Sequence, residues 1–173
     1  MALIEAYPIR INSKRLLQFL DTVPFSVDGG YKGQVMKTSG YGFLEHNAPI
    51  IRHLRQSFYK SCSKYLGIKT TDWNIKSWVY ADWEDNQNNI NAKGVPGPYL
   101  HTHNDDNPYA VSAIMYLTLP GASETTMFPM PRGDYFLPKK LFTWFIFPSS
   151  LPHLPGKGKD KKKRYCLSAD LYP

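Results

Sequence analysis

The stretch Ala-Val-Ser-Ala-Ile-Met-Tyr-Leu-Thr-Leu, residues 110–119, decides the fold class. It is rich in β-branched and aromatic residues and lies between Pro108 and Pro120, so it is predicted to be a β-strand. Similar stretches recur from Thr71 onward, separated by clusters of Pro, Gly and Asn. They predict further strands near 73–83, 99–103, 123–128, 134–137, 141–147 and 164–171.

The first part of the chain has the periodicity of helices. Asn12 or Ser13 can cap a short helix, and Pro49 opens a longer one whose apolar stripe ends at Gly67. Helices followed by many short strands predict an α+β fold. We expect a double-stranded β-helix, a jelly-roll or cupin-like arrangement of two packed sheets, with the N-terminal helices buttressing one face. A simple barrel is the alternative. The expected organisation is one domain, 1–173, with a helical part at about 1–70 and a jelly-roll core at about 71–173.

Charge and composition narrow the class of protein. Residues 157–164 carry five of the seven net positive charges, so the basic character belongs to one loop. We interpret that loop as a solvated turn, with contact to nucleic acid as the alternative. Cys62 and Cys166 lie far apart, which fits a reducing compartment, and no stretch predicts a membrane span or a signal peptide. We expect a cytoplasmic protein.

Three of the five histidines lie in the strand half, two of them in His-Thr-His-Asn-Asp-Asp, residues 101–106. Alternate residues of a strand point the same way, so His101, His103 and Asp105 can share one face. A non-haem iron site needs two imidazoles and a carboxylate, and His103, Asp105 and His153 supply that set. The pair His101 and His103 is the alternative to the pair His103 and Asp105. Turn-forming polar residues with no metal are the competing interpretation.

Arg164 follows His153 by 11 residues, on the last predicted strand. A guanidinium binds a carboxylate through two parallel hydrogen bonds, so Arg164 can anchor an acidic co-substrate beside the metal. The alternative is that Arg164 only closes the basic run.

These elements resemble the Fe(II)- and 2-oxoglutarate-dependent oxygenases, particularly small prolyl-hydroxylase-like members of bacterial and phage type. The resemblance covers about Trp78 to the C-terminus and rests on the HxD-like element at His103, the strand 112–117, the segment 147–153 and Arg164. It implies that His103, Asp105 and His153 hold Fe(II) and that Arg164 binds the far carboxylate of 2-oxoglutarate. It also implies that Tyr116 donates a hydrogen bond to that carboxylate.

Two features depart from the family pattern. His101-Thr-His103 is itself an HxH element, so His101 is an alternate ligand, and Cys166 stands two residues after the arginine, where the family often has serine. The implied reaction couples decarboxylation of 2-oxoglutarate by dioxygen to attack on a substrate C–H bond. A peptidyl, prolyl-like substrate is expected. The alternatives are an oxygenase acting on nucleic acid or a small molecule, and a cupin-like metal-binding protein without oxygenase activity.

Overall fold

The protein is described by a computed structural model. The structure describes residues 3–27, 37–82, 100–103, 107, 109–156 and 161–173. Within them the helices are α1 (Ser13–Leu20) and α2 (Pro49–Leu66), with a 3-10 turn at Phe43–Glu45. The strands are β1 (Glu5–Pro8), β2 (Ser26–Val27), β3 (Lys37–Thr38), β4 (Asn74–Asp82), β5 (Val111–Thr118), β6 (Met127–Phe128), β7 (Tyr135–Phe136), β8 (Thr143–Pro148) and β9 (Arg164–Tyr172).

Both helices begin where the sequence predicts, and α2 also ends there. The side chain of Asn12 accepts a hydrogen bond from the backbone N–H of Arg15, which caps the first turn of α1. Pro49 occupies the first turn of α2, where its missing N–H costs no helical hydrogen bond. Gly67 ends α2 with a φ of 71°, a left-handed conformation that glycine adopts without a side-chain clash.

The strands form a seven-stranded sheet in the order β1-β8-β5-β9-β4-β3-β2 and a two-stranded sheet of β6 and β7 within the described residues. Neighbouring strands in both sheets are antiparallel. Strand β9 lies in the middle, paired along its length with β4 on one side and β5 on the other. The residues of β9 are therefore held in register from both sides.

Both faces of the large sheet are covered, which explains the nearly unbroken apolar run of β5. Met115 and its alternate neighbours pack with Leu54 and Phe58 of α2 in one core cluster. Ile114 and Tyr116 pack on the opposite face, with Phe128 of the small sheet, in a second cluster. The helices thus buttress one face, and the space between the two sheets lies on the other.

The predicted fold is confirmed: the chain is a double-stranded β-helix with two helices on one face. Three strands are clearly shorter than predicted. The stretch 123–128 contributes only Met127–Phe128, and the stretch 134–137 only Tyr135–Phe136. Within 99–103 the described residues form a single bridge, between His101 and His153. Across the described residues, neither helix combines the length and the apolar character needed to cross a bilayer.

Candidate metal centre

Three histidines converge between the two sheets. The backbones of His101 and His153 exchange two hydrogen bonds, 3.1 and 3.0 Å long, which places these residues side by side. The backbone N–H of His103 donates to the carbonyl oxygen of Ser149 at 2.8 Å. This bond holds in place His103, which lies two residues after His101. One ring nitrogen from each of the three histidines lies within 4.8 Å of the others. Such a cluster can place three nitrogen ligands on one side of a metal ion.

Hydrogen bonds fix which ring nitrogen is available in two of these side chains. Nδ1 of His103 lies 3.0 Å from a carboxylate oxygen of Asp170, and Nδ1 of His153 lies 3.1 Å from the carbonyl oxygen of Leu151. Both partners only accept hydrogen bonds, so Nδ1 carries the hydrogen in each ring. Nε2 of His103 and of His153 therefore carries the lone pair that a metal needs.

His153 is buried, with 3% of its surface exposed. Burial lowers its pKa to about 3, with further lowering by His101 and His103. At neutral pH the imidazole is uncharged, which is the form that coordinates a metal ion.

Asp170 lies at the end of a chain of hydrogen bonds on the inner face of β9. Ser112 Oγ donates to its Oδ1 at 2.7 Å, and Ser149 Oγ lies 3.0 Å from Ser112 Oγ. Asp170 is 3% exposed, and its carboxylate oxygens lie 3.1 and 3.0 Å from Nδ1 of His103. This buried carboxylate is therefore held from one side by hydroxyl groups and faces the ring of His103 on the other.

Arg164 lines the same pocket as the three histidines. Its side chain is buried; Nη1 donates to the carbonyl oxygen of Glu124 at 3.2 Å and Nη2 to that of Gly156 at 2.6 Å. These two contacts, from two segments that pack against each other, hold the guanidinium plane in place. Arg164 thus lies where it can bind an acidic ligand next to the histidines, as the sequence predicts.

Aromatic side chains form one wall of the pocket. The indole of Trp78 stacks on the His103 ring with an interplanar angle of 14°, and Tyr80 meets Trp78 edge to face. Nε1 of Trp78 is buried and has no hydrogen-bond partner among the described residues. A buried N–H that lacks a partner is costly, so this wall suits a ligand that offers an acceptor.

The other sequence-predicted site residues differ in placement. Asp105 lies outside the described residues, so its predicted role as a ligand stays a prediction. Tyr116 is fully buried; its hydroxyl accepts from the backbone N–H of Thr126 at 2.7 Å and lies 3.0 Å from Thr126 Oγ1. Burial raises its pKa to about 12, so the hydroxyl is neutral. Thr126, rather than Tyr116, lines the pocket, and the contact of Tyr116 with a co-substrate also stays a prediction.

The sequence analysis missed Asp170, Ser112 and Ser149. A signal was present in β9, where Arg164, Cys166, Ser168 and Asp170 alternate with apolar residues. Alternate residues of a strand share a face, so Asp170 belongs to the face that Arg164 occupies.

Neither a protein-family model nor a curated protein sequence matches the chain. Solved structures match it over nearly its whole length. The non-haem α-ketoglutarate-dependent carbocyclase SnoK from nogalamycin biosynthesis superposes with a TM-score of 0.68 at 10% identity, covering 98% of this chain and 79% of SnoK. A Pseudomonas putida prolyl-4-hydroxylase has a TM-score of 0.60 at 11% identity, covering 98% of this chain and 91% of that one.

HygX from Streptomyces hygroscopicus, solved with nickel and 2-oxoglutarate bound, has a TM-score of 0.63 at 12% identity, covering 99% of this chain and 83% of HygX. The chain has the fold of the 2-oxoglutarate-dependent oxygenases. At such low identity the likeness establishes the oxygenase fold, and residue roles must come from the site itself.

The residues present fit an iron centre of that fold. Three imidazoles converge, two of them with Nε2 free of hydrogen by the bonds that Nδ1 makes. Arg164 and Trp78 line the same pocket, and Nε1 of Trp78 has no hydrogen-bond partner among the described residues. Both side chains can donate to a carboxylate.

Proposed function

We propose that this protein is an Fe(II)- and 2-oxoglutarate-dependent dioxygenase that hydroxylates a peptidyl, prolyl-like substrate. The observation that carries the proposal is the convergence of His101, His103 and His153 in a pocket that Arg164 also lines. In this proposal the three histidines hold the metal. Asp105, the ligand expected from the sequence, is tested separately below.

The protein's own residues prepare the site for this chemistry. His153 is kept neutral by burial, and the Nδ1 contacts of His103 and His153 direct Nε2 of each ring toward the metal position. Arg164, held by two backbone carbonyl groups, binds the far carboxylate of 2-oxoglutarate. When bound, Fe(II) and 2-oxoglutarate supply the activation of dioxygen, with succinate and carbon dioxide as the products of the co-substrate.

Two facts support a peptidyl substrate. Trp78 and Tyr80 line the pocket with aromatic surface, which suits the ring of a proline residue. Two of the structures that share the fold are prolyl hydroxylases, one of them in complex with a peptide fragment. Other structures that share it are a carbocyclase from nogalamycin biosynthesis and HygX with hygromycin B bound, so substrate class needs its own experiment.

The first experiment is an anaerobic titration of the purified protein with Fe(II) and then 2-oxoglutarate, followed by visible absorption. The chelate of 2-oxoglutarate on iron gives a metal-to-ligand charge-transfer band. We expect the band in the wild-type protein and its loss in His153→Ala. His53→Gln is the matched control, because His53 is exposed on α2 and its Nε2 lies 2.9 Å from the carbonyl oxygen of Arg10.

The ligand set is decided by three further variants. If three histidines hold the metal, His101→Ala and His103→Ala each lose the band and Asp105→Asn keeps it. If the band is lost in Asp105→Asn and kept in His101→Ala, the ligands are His103, Asp105 and His153. Absence of the band from wild-type protein that binds iron would reject 2-oxoglutarate as co-substrate and leave a metal-binding protein without oxygenase activity.

Substrate class is tested by succinate formation under air. We expect proline-containing peptides to raise succinate formation above the rate without substrate, with a mass increase of one oxygen atom on the peptide. Stimulation by single-stranded oligonucleotides alone would reject the peptidyl assignment and favour the nucleic-acid alternative.

A further inference from the structure

We propose that Asp170 is a positioning residue for the metal centre: it acts through His103, fixing its tautomer and supplying the negative charge that three neutral imidazoles lack. This inference rests on the proposed function. It assigns a role to a buried carboxylate that is not itself a member of the histidine cluster.

The geometry of the contact is that of a carboxylate that orients a ligand. Both oxygens of Asp170 lie within hydrogen-bond distance of His103 Nδ1, at 3.1 and 3.0 Å. The ring nitrogen that faces Asp170 is therefore engaged, and only Nε2 is left for a metal. Carboxylate partners of this kind fix the ring orientation of a histidine ligand and raise its basicity.

The carboxylate is itself held in place. It is on β9, which is hydrogen-bonded to strands on both sides, and Ser112 Oγ donates to Oδ1 at 2.7 Å. Ser149 extends the chain, and its backbone carbonyl oxygen also accepts the N–H of His103. Ser149 thus links the backbone of His103 to Ser112, which holds Asp170, so the positions of Asp170 and His103 are coupled.

A second contact restricts the His103 ring from its face. Trp78 stacks on it with 14° between the planes and 5.6 Å between the centroids. The indole prevents the ring from tilting, while Asp170 prevents it from flipping. Together they leave His103 one orientation, with Nε2 toward the other two histidines.

Charge gives Asp170 a second role. Iron(II) sites of this kind commonly combine two imidazoles with one carboxylate, whose charge offsets part of the charge of the metal. In the cluster of His101, His103 and His153, no side chain carries a carboxylate that provides that charge. Asp170 places a carboxylate one hydrogen bond away from the metal position, behind His103.

The decisive variant is Asp170→Asn, which keeps the shape and removes the charge. Because Ser112 donates to the oxygen at the Oδ1 position, the amide nitrogen takes the Oδ2 position, 3.0 Å from His103 Nδ1. That nitrogen donates toward Nδ1 from the shorter of the two contacts, and the oxygen 3.1 Å away already accepts from Ser112, so we expect the ring hydrogen to move from Nδ1 to Nε2. The lone pair is then on the wrong nitrogen for the metal.

The first readout needs no metal. Long-range ¹H–¹⁵N correlation spectra of the apo-protein distinguish the two tautomers of each histidine ring. We expect His103 to carry its ring hydrogen on Nδ1 in the wild-type protein and on Nε2 in Asp170→Asn. The tautomer of His153 should be the same in both. An unchanged His103 tautomer together with an unchanged Co(II) affinity in Asp170→Asn would overturn the positioning role.

The second readout is the affinity for Co(II), measured by competition with a chromophoric chelator. Loss of such a partner typically weakens metal binding about ten- to hundredfold, and we expect a decrease of that size in Asp170→Asn. Ser77→Ala is the matched control: it removes a buried hydroxyl that accepts from the N–H of Leu44, at a distance from the histidines on the helix side of the sheet. It should lower stability and leave Co(II) affinity unchanged.

A second variant, Ser112→Ala, tests the inference if Asp170→Asn is unstable. If Asp170→Asn does not fold, Ser112→Ala keeps the carboxylate and removes one of its anchors, and a several-fold loss of Co(II) affinity is expected. Unchanged Co(II) affinity in Ser112→Ala would overturn the inference. Failure of the wild-type protein to bind Co(II) would instead reject the proposed function. The tautomer measurement uses the apo-protein and does not depend on metal binding, so the two failures can be distinguished.

Discussion

Arg164 and Gly156 are joined by a 2.6 Å hydrogen bond from Nη2 to the carbonyl oxygen, and Gly156 packs directly on the backbone that supplies the second acceptor. A Cβ atom at Gly156 would lie 2.5 Å from the carbonyl oxygen of Glu124 and 2.6 Å from that of Thr125. The absence of a side chain at Gly156 therefore sets the distance between the two segments that hold the arginine.

Gly156→Ala should move these two segments apart. Both clashing atoms are backbone, so the strain cannot be relieved by rotating a side chain, and we expect a loss of about 1–3 kcal/mol in the free energy of unfolding. We also expect weaker 2-oxoglutarate binding, because the Arg164 acceptors are displaced. Urea denaturation and co-substrate titration measure the two effects.

Gly121→Ala is the control for this prediction. A Cβ atom at Gly121 would meet nothing within 4 Å, so the substitution should leave both stability and co-substrate affinity close to wild type. Equal effects of the two substitutions would show that the packing of Gly156 has no special role.

Arg164→Lys should weaken the binding of 2-oxoglutarate and leave the binding of metal unchanged. Lysine keeps the positive charge and loses the planar fork that donates to two partners at once. A hydrogen bond to a charged group contributes about 1.5–3 kcal/mol, so about a ten- to hundredfold rise in the KM for 2-oxoglutarate is expected. An unchanged KM, measured by succinate formation, would place the co-substrate carboxylate elsewhere.

The strands and helices could be predicted because their signals are local. β5 and β8 are apolar runs between prolines or turns, and α2 has a continuous stripe with Pro49 and Gly67 at its ends. Whether His101 lies beside His153 could not be predicted from such local signals. It depends on the backbone bridge between His101 and His153, which are far apart in sequence and meet only when the two sheets close.

Arg164 could be predicted from the sequence and the role of Asp170 could not. A buried arginine next to a distal histidine is suggested by order along the chain, and the structure places it in the pocket. The role of Asp170 depends on partners from β5 and from the segment of His103, so spacing alone gives no hint of it. Alternation along β9 indicates its face, and three-dimensional pairing indicates its partner.

Tyr116→Phe tests the remaining co-substrate contact. The substitution removes the hydroxyl that accepts the buried N–H of Thr126, and an unsatisfied buried donor costs about 1–3 kcal/mol. We expect that loss of stability, together with a rise in the KM for 2-oxoglutarate smaller than that of Arg164→Lys. Loss of stability with unchanged KM would show that Tyr116 only supports Thr126.

The stability of the metal-free protein should fall in acid because of His153. Its pKa is lowered to about 3 in the folded protein, whereas an unfolded histidine has a pKa of about 6.5. Between these values the unfolded chain binds more protons, so the contribution of this histidine is complete above about pH 6.5 and is lost as the pH falls toward about 3.

One proton accounts for a slope of at most about 1.4 kcal/mol per pH unit. Urea denaturation of the apo-protein at pH 7 and at pH 5 should therefore show a larger loss for wild type than for His153→Leu, which has no titrating group at this position. Parallel pH profiles for wild type and His153→Leu would show that His153 does not control the acid sensitivity of the fold.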